Sequence, residues 1–237
     1  MKINIALPVL NEERVLRQSV RQLLAVARRE LGDFELRIVI ADNGSTDRTE
    51  EIGRALAVEE PEVGYVRLAE RGKGRAVFAA WESELADVYA FMDIDLSTDL
   101  AALPGLVEGA VSGGGLAVGS RFHPAAQVER SLSRRFFSAG YRLVLRTVFR
   151  TAVSDAPCGF KAIAHSAWVA VGPTVVDRRW FFDTELVLRA ERAGFSLEQI
   201  PVVWREQVAP GRRSRVSAPQ LCVEYLRCVW RLKKDLS

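Results

Sequence analysis

VYAFMDIDLSTD, residues 88–99, sets a short apolar run hard against an acidic turn. Val88 to Met92 has the length and the β-branched and aromatic content of a buried strand, and Asp93-Ile94-Asp95 follows at once. In an open α/β sheet, ligands sit just beyond the carboxyl ends of the strands. Two carboxylates one residue apart at such a place offer hard oxygen ligands to a divalent cation, which often carries substrate phosphates. A strand running into an acidic, helix-capping loop looks the same in isolation, so the flanking stretches have to decide.

Upstream, Val63 to Leu68 predicts a strand, and Gly72-Lys73-Gly74 opens a helix carrying Val77, Phe78 and Trp81. Leu36 to Ala41 predicts another strand, buried on both faces. It ends in Asp42-Asn43-Gly44-Ser45-Thr46-Asp47 and feeds a helix through Arg54 and Leu56. Ile3 to Val9 predicts the first strand. Asn11 is then expected to cap a helix with Glu12 and Glu13 in its first turn and a stripe of Val15, Leu16, Val20, Leu23, Leu24 and Ala27. Downstream, Leu116 to Gly119 predicts a short fifth strand. Strands alternating with helices predict an α/β fold, a Rossmann-like, mostly parallel sheet flanked by helices with right-handed crossovers. The polar turns at 10–12, 42–47 and 93–97 then gather along one sheet edge. The alternation weakens after about residue 121, so the remainder is expected to elaborate the same domain.

The 237 residues are 49% apolar and 27% charged, ordinary for a soluble globular chain with a sizeable core. A net charge of +3 conceals a gradient: acids are frequent in the first hundred residues, and basic residues cluster after residue 120. That asymmetry points to phosphates or anionic lipid on the second half. No RNA- or DNA-binding motif accompanies the arginines, and nucleic acid is not an expected partner. Cys158, Cys222 and Cys228 make neither a CxxC pair nor an even set, which suits reduced thiols in a cytosolic compartment. The opening MKINIALPVLNEE reaches charge too soon for a signal peptide, and no apolar run approaches the roughly 18–20 residues that span a bilayer.

Each polar motif has a plain structural reading beside a chemical one. Asp42 either caps the following helix or accepts hydrogen bonds from a nucleobase or ribose. Lys73 is either a solvated helix start or a cation at a helix N-terminus, where free N–H groups and the dipole favour phosphate. Gly72 and Gly74 do not make the GxGxxG dinucleotide fingerprint. Arg121, closing Gly119-Ser120-Arg121, is a surface charge or a planar fork for phosphate oxygens. Asp155-Ala156-Pro157-Cys158-Gly159-Phe160-Lys161 reads as a tight turn. Trp180-Phe181-Phe182-Asp183-Thr184-Glu185 enters a helix with two first-turn acids that suit capping, and Ala209 to Arg215 is a basic loop.

Taken in order, residues 8–13 (PVLNEE), 42–49 (DNGSTDRT), 72–74 (GKG), 92–97 (MDIDLS), 119–121 (GSR), 155–161 (DAPCGFK), 180–186 (WFFDTEL) and 214–216 (SRV) resemble the family 2 inverting glycosyltransferases. More narrowly, they resemble the polyprenyl-phosphate (dolichyl-phosphate) mannosyl- and glucosyltransferases. Each motif is weak to moderate alone; the ordered set is specific.

The resemblance implies a GT-A fold and a single glycosyltransferase domain over 1–237, with a nucleotide-sugar-binding half (1–121) and an acceptor-binding half (122–237). It implies transfer of a hexose, glucose or mannose, from a UDP-sugar or GDP-sugar to a polyprenyl phosphate with Mg2+ or Mn2+. Pro8, Glu12 and Asp42 would line the nucleoside pocket, with Lys73 near it. Asp93 would meet the ribose side and is a second metal-ligand candidate beside Asp95, which would bind the metal bridging two phosphates. Arg121 would face the phosphates at the reaction centre, and Arg134 and Arg215 would hold the acceptor phosphate and the departing diphosphate. Ser97 stands where mannosyltransferase relatives often carry Gln as a further ligand, and Asn43 where many relatives carry Asp. Neither sugar nor base is legible in these motifs.

Residues 131–150, SLSRRFFSAGYRLVLRTVFR, place Leu132, Phe136, Phe137, Tyr141, Val144, Leu145 and Val148 on one helical face. Arg135, Arg142, Arg146 and Arg150 fall roughly opposite. Such a helix lies in a membrane interface or packs on a core with an arginine-rich solvent side. Leu221, Tyr225, Leu226, Val229 and Trp230, followed by Arg231, Lys233 and Lys234, have a similar character, as a second peripheral anchor or a homodimer face. The expected location is cytoplasmic, at the inner face of the cell membrane. A lipid-phosphate acceptor is already anionic, whereas an acceptor hydroxyl wants a carboxylate base, with Asp155, Asp183 and Glu185 as candidates. Two rival readings stand beside the first: a family 2 transferase to a soluble or glycan hydroxyl, and a non-catalytic nucleotide-sugar-binding protein.

Overall fold

The computed structural model describes residues 1–129, 132–205 and 218–236, with side chains outside 132–136 and 218–223. Nine strands are present among them: β1 (Lys2–Val9), β2 (Glu35–Asp42), β3 (Val63–Arg67), β4 (Val88–Met92), β5 (Leu116–Ser120), β6 (Gln127–Glu129), β7 (Phe160–Ala164), β8 (Leu197–Pro201) and β9 (Val203–Arg205). The helices are α1 (Leu16–Glu30), α2 (Thr49–Glu59), α3 (Lys73–Glu82), α4 (Leu103–Gly113), α5 (Leu132–Phe149), α6 (His165–Val171), α7 (Phe182–Arg192) and α8 (Ala218–Asp235).

Seven strands form one sheet in the order β3-β2-β1-β4-β7-β5-β8, and β6 pairs with β9 separately. β1, β2 and β4 are near-continuous apolar runs, as strands covered on both faces must be. Neighbours run parallel except at β7, which is antiparallel to both β4 and β5. The order reverses between β1 and β4, and a crevice at such a switch point is where open α/β sheets take ligands. Met92, the last residue of β4, pairs with Phe160, the first of β7. That register sets the 155–159 turn directly against Asp93.

Behind the sheet edge lies an aromatic cluster. Trp81 and Phe78 of α3 meet Trp168 of α6 edge-on at 4.7 and 4.8 Å between centroids, and Phe182 of α7 packs 5.8 Å from Phe91. The Trp81 indole donates to the Ala90 carbonyl at 2.9 Å, so this large ring is buried with its polar atom satisfied.

Two expectations need correction. Asn11 does not cap α1: it adopts the left-handed conformation at φ 51°, and its carboxamide oxygen accepts from Thr46 N at 2.7 Å. The Glu12 carbonyl closes a turn onto Val15 and Leu16, so Glu12 and Glu13 precede a helix that begins at Leu16. The N-terminus of α3 is not open to phosphate either. Gly74 N and Arg75 N donate to the carbonyls of Arg179 and Arg178, at 3.0 and 2.9 Å. Of the two readings of α5, packing on the core holds where its side chains are described: Leu145 is buried, Tyr141, Val144 and Val148 are partly so, and Arg146 and Arg150 are exposed. Arg142 is half-buried, its guanidinium 5.0 Å over the Phe122 ring. Phe137 of the expected apolar face stays exposed. In α8, Val229 and Leu232 are buried while Leu226 and Trp230 are not. No helix among the described residues is long and apolar enough to cross a membrane.

Candidate active site

Asp93 and Asp95 leave β4 in a tight turn. Leu96 N donates to the Asp93 carbonyl at 3.2 Å, and Ser97 N to Asp95 Oδ1 at 3.1 Å. Leu96 sits at φ 50°, a backbone state that bulky side chains rarely adopt, and it packs partly buried against the core. β9 fixes the rest of the turn: Arg205 N donates to the Ser97 carbonyl and Asp99 N to the Val203 carbonyl, both at 2.9 Å, with a bridge between Thr98 and Trp204. A cleft opens there, lined among others by Asp93, Asp95, Ser97, Arg121, Cys158 and Trp204.

A buried lysine and a half-buried arginine organise this cleft. Lys73 Nζ lies 2.9 Å from Asp93 Oδ1 and 2.8 Å from Asp183 Oδ2. Burial opposes the lysine's charge, but Asp183 and then Asp93 outweigh it and hold the ammonium above its ordinary pKa. Arg121 binds Asp155 as a fork, with Nε 2.7 Å from Oδ2 and Nη2 2.8 Å from Oδ1, and its backbone N–H adds a third bond at 2.9 Å. Burial again opposes the charge and Asp155 overrides it, so the guanidinium is held protonated. Its carbon lies 5.8 Å from the Trp204 ring centroid.

The 155–159 turn serves both cations. A Cβ at Gly159 would overlap the Asp93 carboxylate and stand 2.8 Å from Lys73 Nζ, so a side chain there displaces that carboxylate. Burial pushes the Cys158 thiol up to about 11, leaving it an inert packing group. Lys161, fully buried, donates to the Cys158 carbonyl, and burial holds its pKa down. None of Gly159, Cys158 or Lys161 was singled out as a site residue by the sequence.

The structure thus brings Asp93, Asp95, Lys73 and Arg121 together. Pro8 and Asp42 lie at the adjoining strand ends, and Glu12 in the loop after β1. Pro8 is in register with Ala41, and Glu12 N donates to Thr49 Oγ1 at 2.8 Å. Asp42 is sealed, its Oδ1 accepting from Ser45 N at 2.8 Å and its Oδ2 from the Tyr65 hydroxyl at 2.7 Å. Asn43 ties this side to the lysine loop: its N–H donates to the Val9 carbonyl at 2.8 Å and its Oδ1 accepts from Gly72 N at 2.9 Å. Arg134 is placed on α5 by its backbone alone, and Arg215 lies outside the described residues.

All three carboxylates considered as bases are engaged elsewhere. Asp155 holds Arg121, and Asp183 holds Lys73 through Oδ2 while its buried Oδ1 has no hydrogen-bond partner among the described residues. Glu185 accepts from Val176 N and Asp177 N at 3.1 and 2.7 Å and pairs with Arg189 at 2.8 Å. No group of three or more acidic, His or Cys side chains encloses a metal among the described residues. Mg2+ is commonly held by one or two carboxylates while substrate phosphates and water complete its shell. The Asp93–Asp95 pair fits that pattern, since Asp93 keeps 51% of its side-chain surface open toward the cleft turn.

A family model described as Glycosyl transferase family 2 matches residues 4–168. Glycosyltransferase AglD of Haloferax volcanii is 34% identical over 206 residues, covering 86% of this chain and 33% of that protein; the chain therefore spans a third of its length. Dolichyl-phosphate beta-glucosyltransferase ALG5C of Trichomonas vaginalis is 24% identical over 243 residues, covering 95% of this chain and 72% of that one. Among solved structures, glucosyl-3-phosphoglycerate synthase from Mycobacterium tuberculosis in complex with UDP superposes with a TM-score of 0.73. It is 18% identical, with 98% of this chain and 80% of that chain covered. Further complexes of that synthase contain UDP with Mg2+ or Mn2+. At that identity the likeness speaks for the fold.

Proposed function

The chain belongs to glycosyl transferase family 2 and has the GT-A fold, and on that premise we propose that it is a metal-dependent inverting hexosyltransferase acting on a polyprenyl phosphate. The donor is a nucleotide-diphosphate sugar, UDP- or GDP-linked, carrying glucose or mannose. The observation that carries the acceptor class is the engagement of Asp155, Asp183 and Glu185 in ion pairs. Transfer to a hydroxyl wants a carboxylate within reach of the departing proton. A phosphate monoester is anionic at neutral pH and attacks without that help. The dolichyl-phosphate relative supports the same class.

Asp95, with Asp93, would hold Mg2+ or Mn2+, which supplies Lewis-acid polarisation and a template for the donor diphosphate. Lys73 fixes the Asp93 carboxylate from behind, and the bare Gly159 gives that carboxylate room. Arg121, immobilised by Asp155, keeps its Nη1 edge outside the fork and directs it at phosphate charge, a preorganised cation of the kind that stabilises a leaving anion. Arg134 and Arg215 complete the proposal as cations for acceptor and leaving group. Pro8, Glu12 and the turn that Asp42 holds in shape form the nucleoside side. Residues 1–237 act as one transferase domain, peripheral to the cytoplasmic face of a membrane.

The test incubates the protein with vesicles containing polyprenyl phosphate and labelled UDP-glucose or GDP-mannose, with and without EDTA. Label enters the lipid fraction from one donor and ceases to do so with EDTA. Label that appears only on a soluble glycan overturns the acceptor assignment.

A further inference from the structure

A second cleft lies away from the Asp93–Asp95 turn, between the start of α3, the segment before α7, and α8. Six arginines line it: Arg71, Arg75, Arg178, Arg179, Arg227 and Arg231. Only three carboxylates face them. Glu70 pairs with Arg75 at 2.7 Å, Asp177 with Arg231 at 3.3 Å and Glu224 with Arg179 at 3.7 Å. Arg71, Arg178 and Arg227 have no acidic partner among the described residues. Arg178 stacks with its guanidinium carbon 3.5 Å from the Phe78 centroid, and its buried Nη1 has no hydrogen-bond acceptor among the described residues.

The outer surface of α8 indicates which anion. Cys228, Val229 and Leu232 are buried, while Leu226 and Trp230, one turn apart, are 45% and 63% exposed. Arg227 and Arg231 occupy the adjoining strip of the same helix. An exposed tryptophan beside arginines on an amphipathic helix suits the boundary between headgroups and acyl chains. A soluble anion would have no use for that apolar strip.

We propose that this cleft binds the headgroup of an anionic phospholipid, with Leu226 and Trp230 entering the interface beside it. The proposal deepens the peripheral-membrane part of the proposed function and does not depend on the transfer reaction. Flotation tests it with the full chain and no donor or acceptor, on vesicles of phosphatidylcholine alone and of phosphatidylcholine with phosphatidylglycerol. Each basic residue near an anionic surface contributes about fivefold to partitioning. Wild-type protein is therefore expected to float about tenfold or more better on the anionic vesicles. Arg71→Glu with Arg227→Glu, which breaks no described ion pair, lowers that binding about tenfold or more with an unchanged melting temperature. Leu226→Ala with Trp230→Ala lowers binding to the same vesicles. Equal flotation on both compositions, or anionic binding untouched by Arg71→Glu with Arg227→Glu, overturns the headgroup site while leaving membrane contact standing. No flotation on either overturns the site and the peripheral contact together, and leaves the transferase assignment to its own test.

Discussion

Asp42 and Asp93 both stand where a buried strand reaches the same sheet edge, one ending β2 and the other following β4, and both open a polar turn. Asp42 is fully buried, with both oxygens taken by Ser45 N and the Tyr65 hydroxyl. Asp93 keeps about half of its side-chain surface open. The neighbouring strands account for the difference. β3 runs beside β2 and brings Tyr65 over the first carboxylate, whereas β7 runs beside β4 and is preceded by Gly159, which covers nothing. A strand-end carboxylate becomes a binding group where its neighbour leaves it uncovered, and a structural one where it does not.

Lys73→Met tests that contrast hardest, because it strands Asp183 and Asp93 without their shared cation. We expect a loss of about 3–5 kcal/mol by chemical denaturation, the range for breaking a buried ion pair. Because the lysine's folded pKa lies above its unfolded one, its contribution is complete below about pH 10 and lost only as pH rises through the folded value. Burial already holds the Asp183 carboxyl above the ordinary carboxylate range while Lys73 draws it down, so the variant's Asp183 goes higher still and the difference between wild type and variant should grow as pH rises above the wild-type Asp183 value. A difference that vanishes by neutral pH would show the lysine to be neutral there.

Gly159→Ala closes the open side of Asp93. Transfer is expected to fall about 10²-fold through displacement of the carboxylate, with a much smaller change in melting temperature. Asp42→Ala should do the reverse, costing about 1–3 kcal/mol for the bonds it strands at Ser45 and Tyr65, while Asp42→Asn keeps most of that stability. An Asp42→Ala variant as stable as wild type, yet inactive, would move Asp42 from the frame to the binding surface. The smallest effect concerns Cys158 and Cys228, whose thiols burial holds near 11. Neither should react with iodoacetamide at about pH 8 until the chain unfolds.

The first five strands and the three helices between the first four of them were legible because each is a local pattern, an apolar run, a turn or a stripe with helical spacing, whereas α4 before β5 was not read. The edge that collects residues 10–12, 42–47 and 93–97 followed from the alternation alone. β7 was not legible, since FKAIA follows a tight turn and carries a lysine, with nothing local to show that it inserts antiparallel between β4 and β5. The ion pairs were hidden for a related reason. Arg121 meets Asp155 across 34 positions and Lys73 meets Asp183 across 110, so each half reads as a cap or a surface charge. Asn11 misled because an Asn-Glu-Glu run before an apolar stripe has the composition of a helix start, while its carboxamide serves the neighbouring turn.

Asp95→Asn tests the central claim most directly, because it keeps an oxygen for Ser97 N while removing the charge that would hold the donor's cation. With wild-type folding verified by its melting temperature, label entering polyprenyl lipid should fall about 10²–10³-fold, and EDTA should reduce the wild type as far. Full transfer by this variant, or by the wild type in EDTA, would contradict the assignment of the turn after β4 as the metal–diphosphate seat.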